Sequence, residues 1–319
     1  MKQFFSSLFA AAAFTFALFF QKIILEGAKY GLNLWFYTLL PTLLPFMILS
    51  NLFIQSKIIR PLMAVPGKYS KKYLGISPAG LYAFICGFFF GYPSGAKILA
   101  DLLKTGQIDK KEAAWLLGFC NNASPAFLMT FFLAEQLNHP EKTAETFLLL
   151  YGIPAVLCLA PLIKNCRSKA PIIYDSDQDS PKKASNPTFS FALFDACISD
   201  AITVILKLGA YIMVFAVLSN AIANIPRLPK KYAALLCAAL EITNGITAVK
   251  AAFPFPQNYL ILLPFLAFGG ICSLMQTGSV IKDTPLSWRN YFLCKLLLSV
   301  PVLFAGLLCQ KTLFLLFSC

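Results

Sequence analysis

Long uncharged apolar runs recur along the whole chain, and they constrain its fold more than any other feature. An α-helix crosses about 30 Å of hydrocarbon in roughly 17–25 residues. Runs of that kind occupy Phe4–Phe20, Leu32–Gln55, Leu74–Ala96, Ala113–Ala134, Thr146–Ile163, Leu208–Pro226 and Ala251–Ile281. Tyr232–Val249 and Asn290–Gln310 each carry one charge, Glu241 and Lys295. Of 319 residues, 58% are hydrophobic and 13% charged, about half the charge of an ordinary soluble domain. So few polar groups cannot cover so much apolar surface in water. A soluble enzyme, a nucleic-acid-binding domain and a disordered chain are excluded. The expected class is an all-α polytopic membrane protein, with membrane lipid as its main partner and no nucleic acid.

The net charge of +13 lies in loops between the apolar runs, where membrane topology and anionic headgroups account for it. The first run follows Lys2 and lacks a small-residue cleavage site at Phe19-Phe20-Gln21-Lys22, so residues 1–25 read as a retained anchor helix. Lys57, Arg60, Lys68, Lys71 and Lys72 argue for a cytoplasmic loop, and the acid-rich loop near Glu135–Glu145 for the outside. The polar segment 164–190, with Lys164, Arg167, Lys169, Lys182 and Lys183, reads as a cytoplasmic linker. These assignments agree only if Leu74–Ala96 dips into the membrane and returns. Gly87, Gly91, Pro93 and Gly95 interrupt it and permit that path, a kinked full span being the alternative. A broken backbone at membrane depth persists only where protein or a polar cavity satisfies it.

The chain also repeats. At an offset of 169 residues, Glu26–Phe53 aligns without a gap on Asp195–Ile222, with Leu49-Ser50-Asn51 on Leu218-Ser219-Asn220. Downstream, Pro93-Ser94-Gly95-Ala96 corresponds to Thr243-Asn244-Gly245-Ile246, and Phe119–Ser124 to Phe268–Ser273. The spacing from glycine to serine is 29 residues in one half and 28 in the other. The expected division is therefore a first repeat over 26–163 and a second over 191–319. A returning segment in each half makes the two inverted, the layout of many secondary transporters. Arg227, Lys230 and Lys231 then fall outside, against the charge rule.

Polar constellations inside the apolar runs mark the candidate solute site. In Gly91-Tyr92-Pro93-Ser94-Gly95-Ala96-Lys97 the helix must break, freeing backbone groups to face a ligand or to pack a tight crossing. Lys97 either contacts solute or snorkels to the interface. In Asn121-Asn122-Ala123-Ser124-Pro125, Ser124 and Pro125 read as the cap and first residue of a helix that starts within an apolar run. Its free N–H groups suit a polar or anionic ligand, and Asn121 and Asn122 add donors and acceptors. In Glu241-Ile242-Thr243-Asn244-Gly245 a carboxylate sits mid-run, a functional hypothesis by default. Proton coupling, cation coordination and pairing with Lys97 or Lys207 are the roles open to it. Gln276-Thr277-Gly278 is a further candidate for the same cavity. Asp200 and Lys207 share one helix face and read as its interfacial end.

No Walker, HExxH or GxSxG motif occurs, so no enzymatic activity is expected. The ten cysteines form no CxxC and His139 has no partner at ligand spacing, so neither a metal nor another cofactor is expected.

Together, Leu43-Leu44-Pro45-Phe46, Gly91–Lys97, Cys120–Pro125 and Leu240–Gly245 resemble the sporulation integral membrane proteins of the YlbJ type, within the nucleoside-recognition or Gate-domain superfamily. The resemblance runs from about Glu26 to the C-terminal helix. It implies a multi-pass protein of the cytoplasmic membrane, transporter-like and sporulation-associated, that moves or gates a polar solute or ion. It implies cavity positions at Gly91, Pro93, Ser94, Gly95, Lys97, Asn121, Asn122, Ser124, Pro125, Glu241, Thr243, Asn244 and Gly245. The competing expectation is a non-transporting assembly factor for the spore envelope, whose motifs only pack helices. Homo-oligomerisation is left open.

Overall fold

The computed structural model describes residues 15, 18–55, 64–159 and 190–317, and among them all regular structure is helical. Residues 1–14 and 16–17, most of the first run, and residues 164–189 of the polar segment lie outside the described residues. In chain order the helices are α1 (Gln21–Asn33), α2 (Leu40–Gln55), α3 (Ala64–Leu74), α4 (Pro78–Phe90), α5 (Ser94–Lys104), α6 (Lys110–Leu117) and α7 (Phe127–Leu137). A π-helical turn, Leu34–Leu39, joins α1 to α2. They continue as α8 (Pro140–Leu159), α9 (Phe191–Ala223), α10 (Lys230–Leu240), α11 (Ile242–Ala252), α12 (Gln257–Phe268), α13 (Gly270–Ile281) and α14 (Trp288–Phe317). Among the described residues, four stretches are long and apolar enough to cross a membrane: α8, α9, α12 with α13, and Trp288–Gln310 of α14. The pair Gln21–Leu39 and Leu43–Leu49, bent by 53°, is either a broken fifth span or a re-entrant loop. Rows of exposed side chains such as Leu206, Val214 and Leu218 on α9, or Leu293, Leu297 and Phe304 on α14, face the lipid. The chain is an integral, all-α polytopic membrane protein.

Several apolar runs are not single helices, and local chemistry explains each case. Leu74–Ala96 becomes α4 and α5. Ser77 caps α4 by accepting the Gly80 N–H at 3.0 Å, with Pro78 in the first turn, and Gly91 ends it at φ +76°. Gly91 thus takes a backbone conformation open to few residues but glycine. The chain then folds back, because a Cβ at Gly95 would stand 3.1 Å from the Cα of Gly87. Eight residues of straight helix would separate that pair by about 12 Å. At the open end, the Ser77 N–H donates to Glu112 Oε1 at 2.7 Å, in the first turn of α6, the helix that follows α5. Tyr232–Val249 likewise splits at Glu241, whose extended backbone (φ −146°, ψ 121°) separates α10 from α11. A Cβ at Gly245 would lie 2.7 Å from the Ala238 side chain, and Lys231 sits 5.5 Å over the Phe253 ring at the open end. Both segments are helical hairpins.

Ala113–Ala134 and Ala251–Ile281 break differently. The first stops at α6 and resumes when Ser124 accepts the Phe127 N–H at 3.2 Å, so the expected cap forms. The second carries the end of α11, then α12 and α13 hinged at Gly269, φ +88°. The run Leu208–Pro226 covers only the later part of α9 and the turn after it; the helix starts at Phe191 behind the Ser190 cap and is about 50 Å long. Such length carries Asp195, Asp200 and Lys207 within one helix while leaving a full apolar span.

The helices whose sequences align at offset 169 pack against each other and run antiparallel. Gly27 meets Val217, Gly31 meets Met213, and the Trp35 indole N–H donates to Ile205 O at 3.0 Å while its ring covers Gly209. The repeated asparagines tie the two ends: Asn220 donates to Ile23 O at 2.7 Å and Asn51 to Cys197 O at 3.3 Å. Around this pair are two further cores. One gathers α4, α5 and α6 with α13 and α14; the other gathers α10, α11 and α12 with α7 and α8. Exchanging the first half's elements for the second's turns either core into the other.

Candidate functional site

Both hairpin tips and both helix breaks meet at one cavity of about 110 Å³. The first hairpin contributes Phe90, Gly91 and Tyr92, the second Glu241, Ile242 and Thr243. The first break contributes Ala123, Ser124, Ala126, Phe127 and Thr130, the second Gly269, Cys272, Ser273 and Gln276. The remaining wall comes from the antiparallel pair and the turn before α2, through Thr38, Leu39, Leu43, Leu208 and Ile212. Leu39 and Leu208 occupy equivalent positions at the repeat offset, and so do Leu43 and Ile212. The first tip touches the second break across the halves, the Tyr92 hydroxyl donating to Leu266 O at 3.1 Å, and within the second half the Leu240 carbonyl would be 3.1 Å from a Cβ at Gly270.

Glu241 is the charged residue of this lining and is only 5% exposed. Its Oε1 accepts the Thr243 N–H at 2.9 Å and its Oε2 the Asn244 N–H at 2.8 Å, so it caps α11. Carboxylates at a helix N-terminus are stabilised by these donors and by the helix dipole. Neither Lys97 nor Lys207 is its partner: Lys97 donates to Asp101 Oδ2 at 2.6 Å and to Asp200 Oδ2 at 2.8 Å.

Of the expected positions, Gly91, Ser124, Glu241 and Thr243 line the cavity. Pro93 and Pro125 set the starts of α5 and α7 beside it. Gly95 packs against the Cys120 carbonyl and Gly245 against Ala238, so both serve the hairpins. Asn121 and Asn122 stand one layer behind. Asn121 donates to Thr277 Oγ1 and to the Tyr291 hydroxyl, both at 2.8 Å. Asn122 donates to Phe119 O at 2.7 Å and accepts from Lys295 Nζ at 2.8 Å. The buried atoms Asn121 Oδ1, Ser94 Oγ and Asn244 Nδ2 have no hydrogen-bond partner among the described residues. Gln276 reaches the lining, Thr277 meets Asn121, and Gly278 packs on Trp288.

Sequence reasoning missed two clusters. Lys295 is fully buried on α14, has no carboxylate partner among the described residues, and lies 5.4 Å over the Tyr92 ring and 6.0 Å over Tyr291. The signal was one cation in an apolar run. Asp200, read as part of an interfacial helix end, instead joins Lys97 and the Asn51 Nδ2, the latter at 2.9 Å. No local pattern announces a bond across 149 residues. Outside the cavity, His139 pairs with Glu141 at 2.6 Å and stacks on Phe255. The described cysteines are free thiols, as their spacing implies.

Fold and site together define an integral membrane protein with two broken-helix units closing on a partly polar cavity. The chain is 25% identical to the sporulation integral membrane protein YlbJ of Bacillus subtilis (strain 168), over 305 aligned residues spanning 86% of this chain and 74% of that protein. That likeness supports a relative of the YlbJ type. No family model matches the chain, and no solved structure matches it.

Proposed function

We propose that this protein is a transporter-like, sporulation-associated protein of the cytoplasmic membrane, in the Gate or nucleoside-recognition superfamily, which moves or gates a polar solute or ion. The observation carrying this reading is the meeting of both hairpin tips and both helix breaks at one cavity around Glu241. The antiparallel pairing of the aligned helices supports two inverted repeats, which rock around the cavity in turn. Solute sits between the tips, with the Ser124 hydroxyl and the cap of α7 supplying hydrogen bonds. Glu241 supplies charge or carries the coupling proton; Asn121 and Asn122 hold the first break in place from behind. The sporulation role rests on the likeness to YlbJ, and the Gate assignment on the motif order.

The test is uptake of a panel of labelled polar solutes by proteoliposomes containing wild type or Glu241→Gln. Wild type is expected to accumulate at least one solute, and the variant to lose most of that uptake while remaining folded. Equal uptake by both proteins removes the coupling role. The bonds of Asn121 to Thr277 and Tyr291 favour a second reading, a non-transporting assembly factor. It expects no uptake of any solute, and Asn121→Ala and Ser124→Ala that lower abundance without leaving a folded, inactive protein.

A further inference from the structure

Lys97 holds two carboxylates from different parts of the fold. Asp101 lies one turn further along α5, inside the first hairpin; Asp200 lies on α9, in the opposite half. The lysine side chain is 11% exposed, Asp101 20% and Asp200 43%, so the contact sits at a partly wetted edge. Asp200 Oδ2 also accepts from Asn51 Nδ2, which is anchored by its bond to Cys197 O. Each charge therefore has a second partner on its own side of the contact.

We propose that Lys97 is a toggle that latches the first hairpin to the antiparallel pair and releases it by handing its ammonium wholly to Asp101. This inference rests on the transport reading above and adds a regulator to that site. When the hairpin swings away, Lys97 stays paired with Asp101 and Asp200 stays bonded to Asn51, so neither charge is bared. A lysine with one acid would have to strand a desolvated charge on opening, which is strongly unfavourable. Two arrangements of nearly equal energy are what a switching element requires. The second hairpin lacks the device. Thr247, which corresponds to Lys97 in the repeat, faces Tyr30 of α1 in an uncharged contact. The latch is thus one-sided, and the two faces of the cavity open under different constraints.

The native thiol of Cys272, buried in the cavity lining, reports the opening without any solute. The full chain in membrane vesicles is treated from either side with a membrane-impermeant maleimide, and modification of Cys272 is followed by peptide mass spectrometry. Asp200→Asn weakens the latch and is expected to speed labelling by about fivefold or more, the range of ordinary conformational coupling. Lys97→Met removes the latch altogether and is expected to do the same. Asp101→Asn removes the second partner, holds Lys97 on Asp200 and is expected to slow labelling. Opposite signs from two acids on one lysine separate a toggle from general loosening. Labelling within about twofold of wild type in Asp200→Asn and Lys97→Met, or the same direction of change in both aspartate variants, overturns the proposal. So does a Cys272 that stays unmodified in every variant. Because uptake plays no part in this measurement, failure of the latch and failure of the transport reading are told apart.

Discussion

At the scale of single residues, buried charge decides most of what is unusual here. Lys295 has no carboxylate partner among the described residues; Asn122 Oδ1 is its acceptor and two tyrosine faces surround it. Removing one partner of a buried charge costs far more than removing both. Asn122→Leu, which leaves the ammonium without its acceptor, is expected to destabilise the protein by about 3 kcal/mol. Lys295→Met added to that variant is expected to restore most of the loss. Thermal unfolding of the purified protein in detergent reads both, and additive effects would dismiss the coupling. The sequence already marked Asn122, Glu241 and Lys295 as polar groups in apolar surroundings. It did not say which faces the cavity, because that depends on which helix packs behind each one. Glu241 faces it through its cap on α11; Asn122 and Lys295 turn to each other instead.

Elements here are set by where helices stop. Gly91, Pro93, Ser124 and Pro125 mark the breaks of the first half and were readable as rules about dihedrals, missing N–H groups and capping, whereas the breaks at Glu241 and Gly269 fall inside runs read as unbroken at those residues. The closeness of the two arms of a hairpin is a separate requirement. Gly95 is wedged between the Cα of Gly87 on the other arm, 3.1 Å from where a Cβ would stand, and the Cys120 carbonyl behind the hairpin, so Gly95→Ala drives a methyl into backbone that cannot step aside. Overpacking of this kind costs about 1–3 kcal/mol. Gly152, within α8, has only the flexible end of Leu148 nearby, at 3.2 Å, so Gly152→Ala is expected to leave stability within about 0.5 kcal/mol of wild type. Comparable melting temperatures for the two variants would mean that the hairpin tolerates separation. The lengths of α9 and α14 were underestimated from sequence because charged residues were taken as ends. A helix longer than the hydrocarbon carries them at the interface without stopping.

Across the whole molecule, the hairpins approach the cavity tip to tip, so their open ends point apart. Cysteines placed at Tyr73 and Thr105, both exposed and flanking the first hairpin, are expected to react with an impermeant reagent from one side of the membrane. Cysteines at Tyr232 and Lys250, flanking the second, are expected to react only from the other. Labelling of Tyr73 and Thr105 positions from opposite sides would make the first segment a crossing and end the inverted arrangement. The sequence by itself determined the solvent of the chain, its helical class, the helix breaks of the first half and the alignment of its halves. These follow from apolar run length and from backbone rules that act over a few neighbouring residues. Only the tertiary structure decided that the breaks share one cavity, that Asn121 binds Thr277 and Tyr291, and that Lys97 is divided between Asp101 and Asp200. Those pairings join residues distant along the chain, and helix packing, which no local pattern encodes, selects among the polar partners that each half offers.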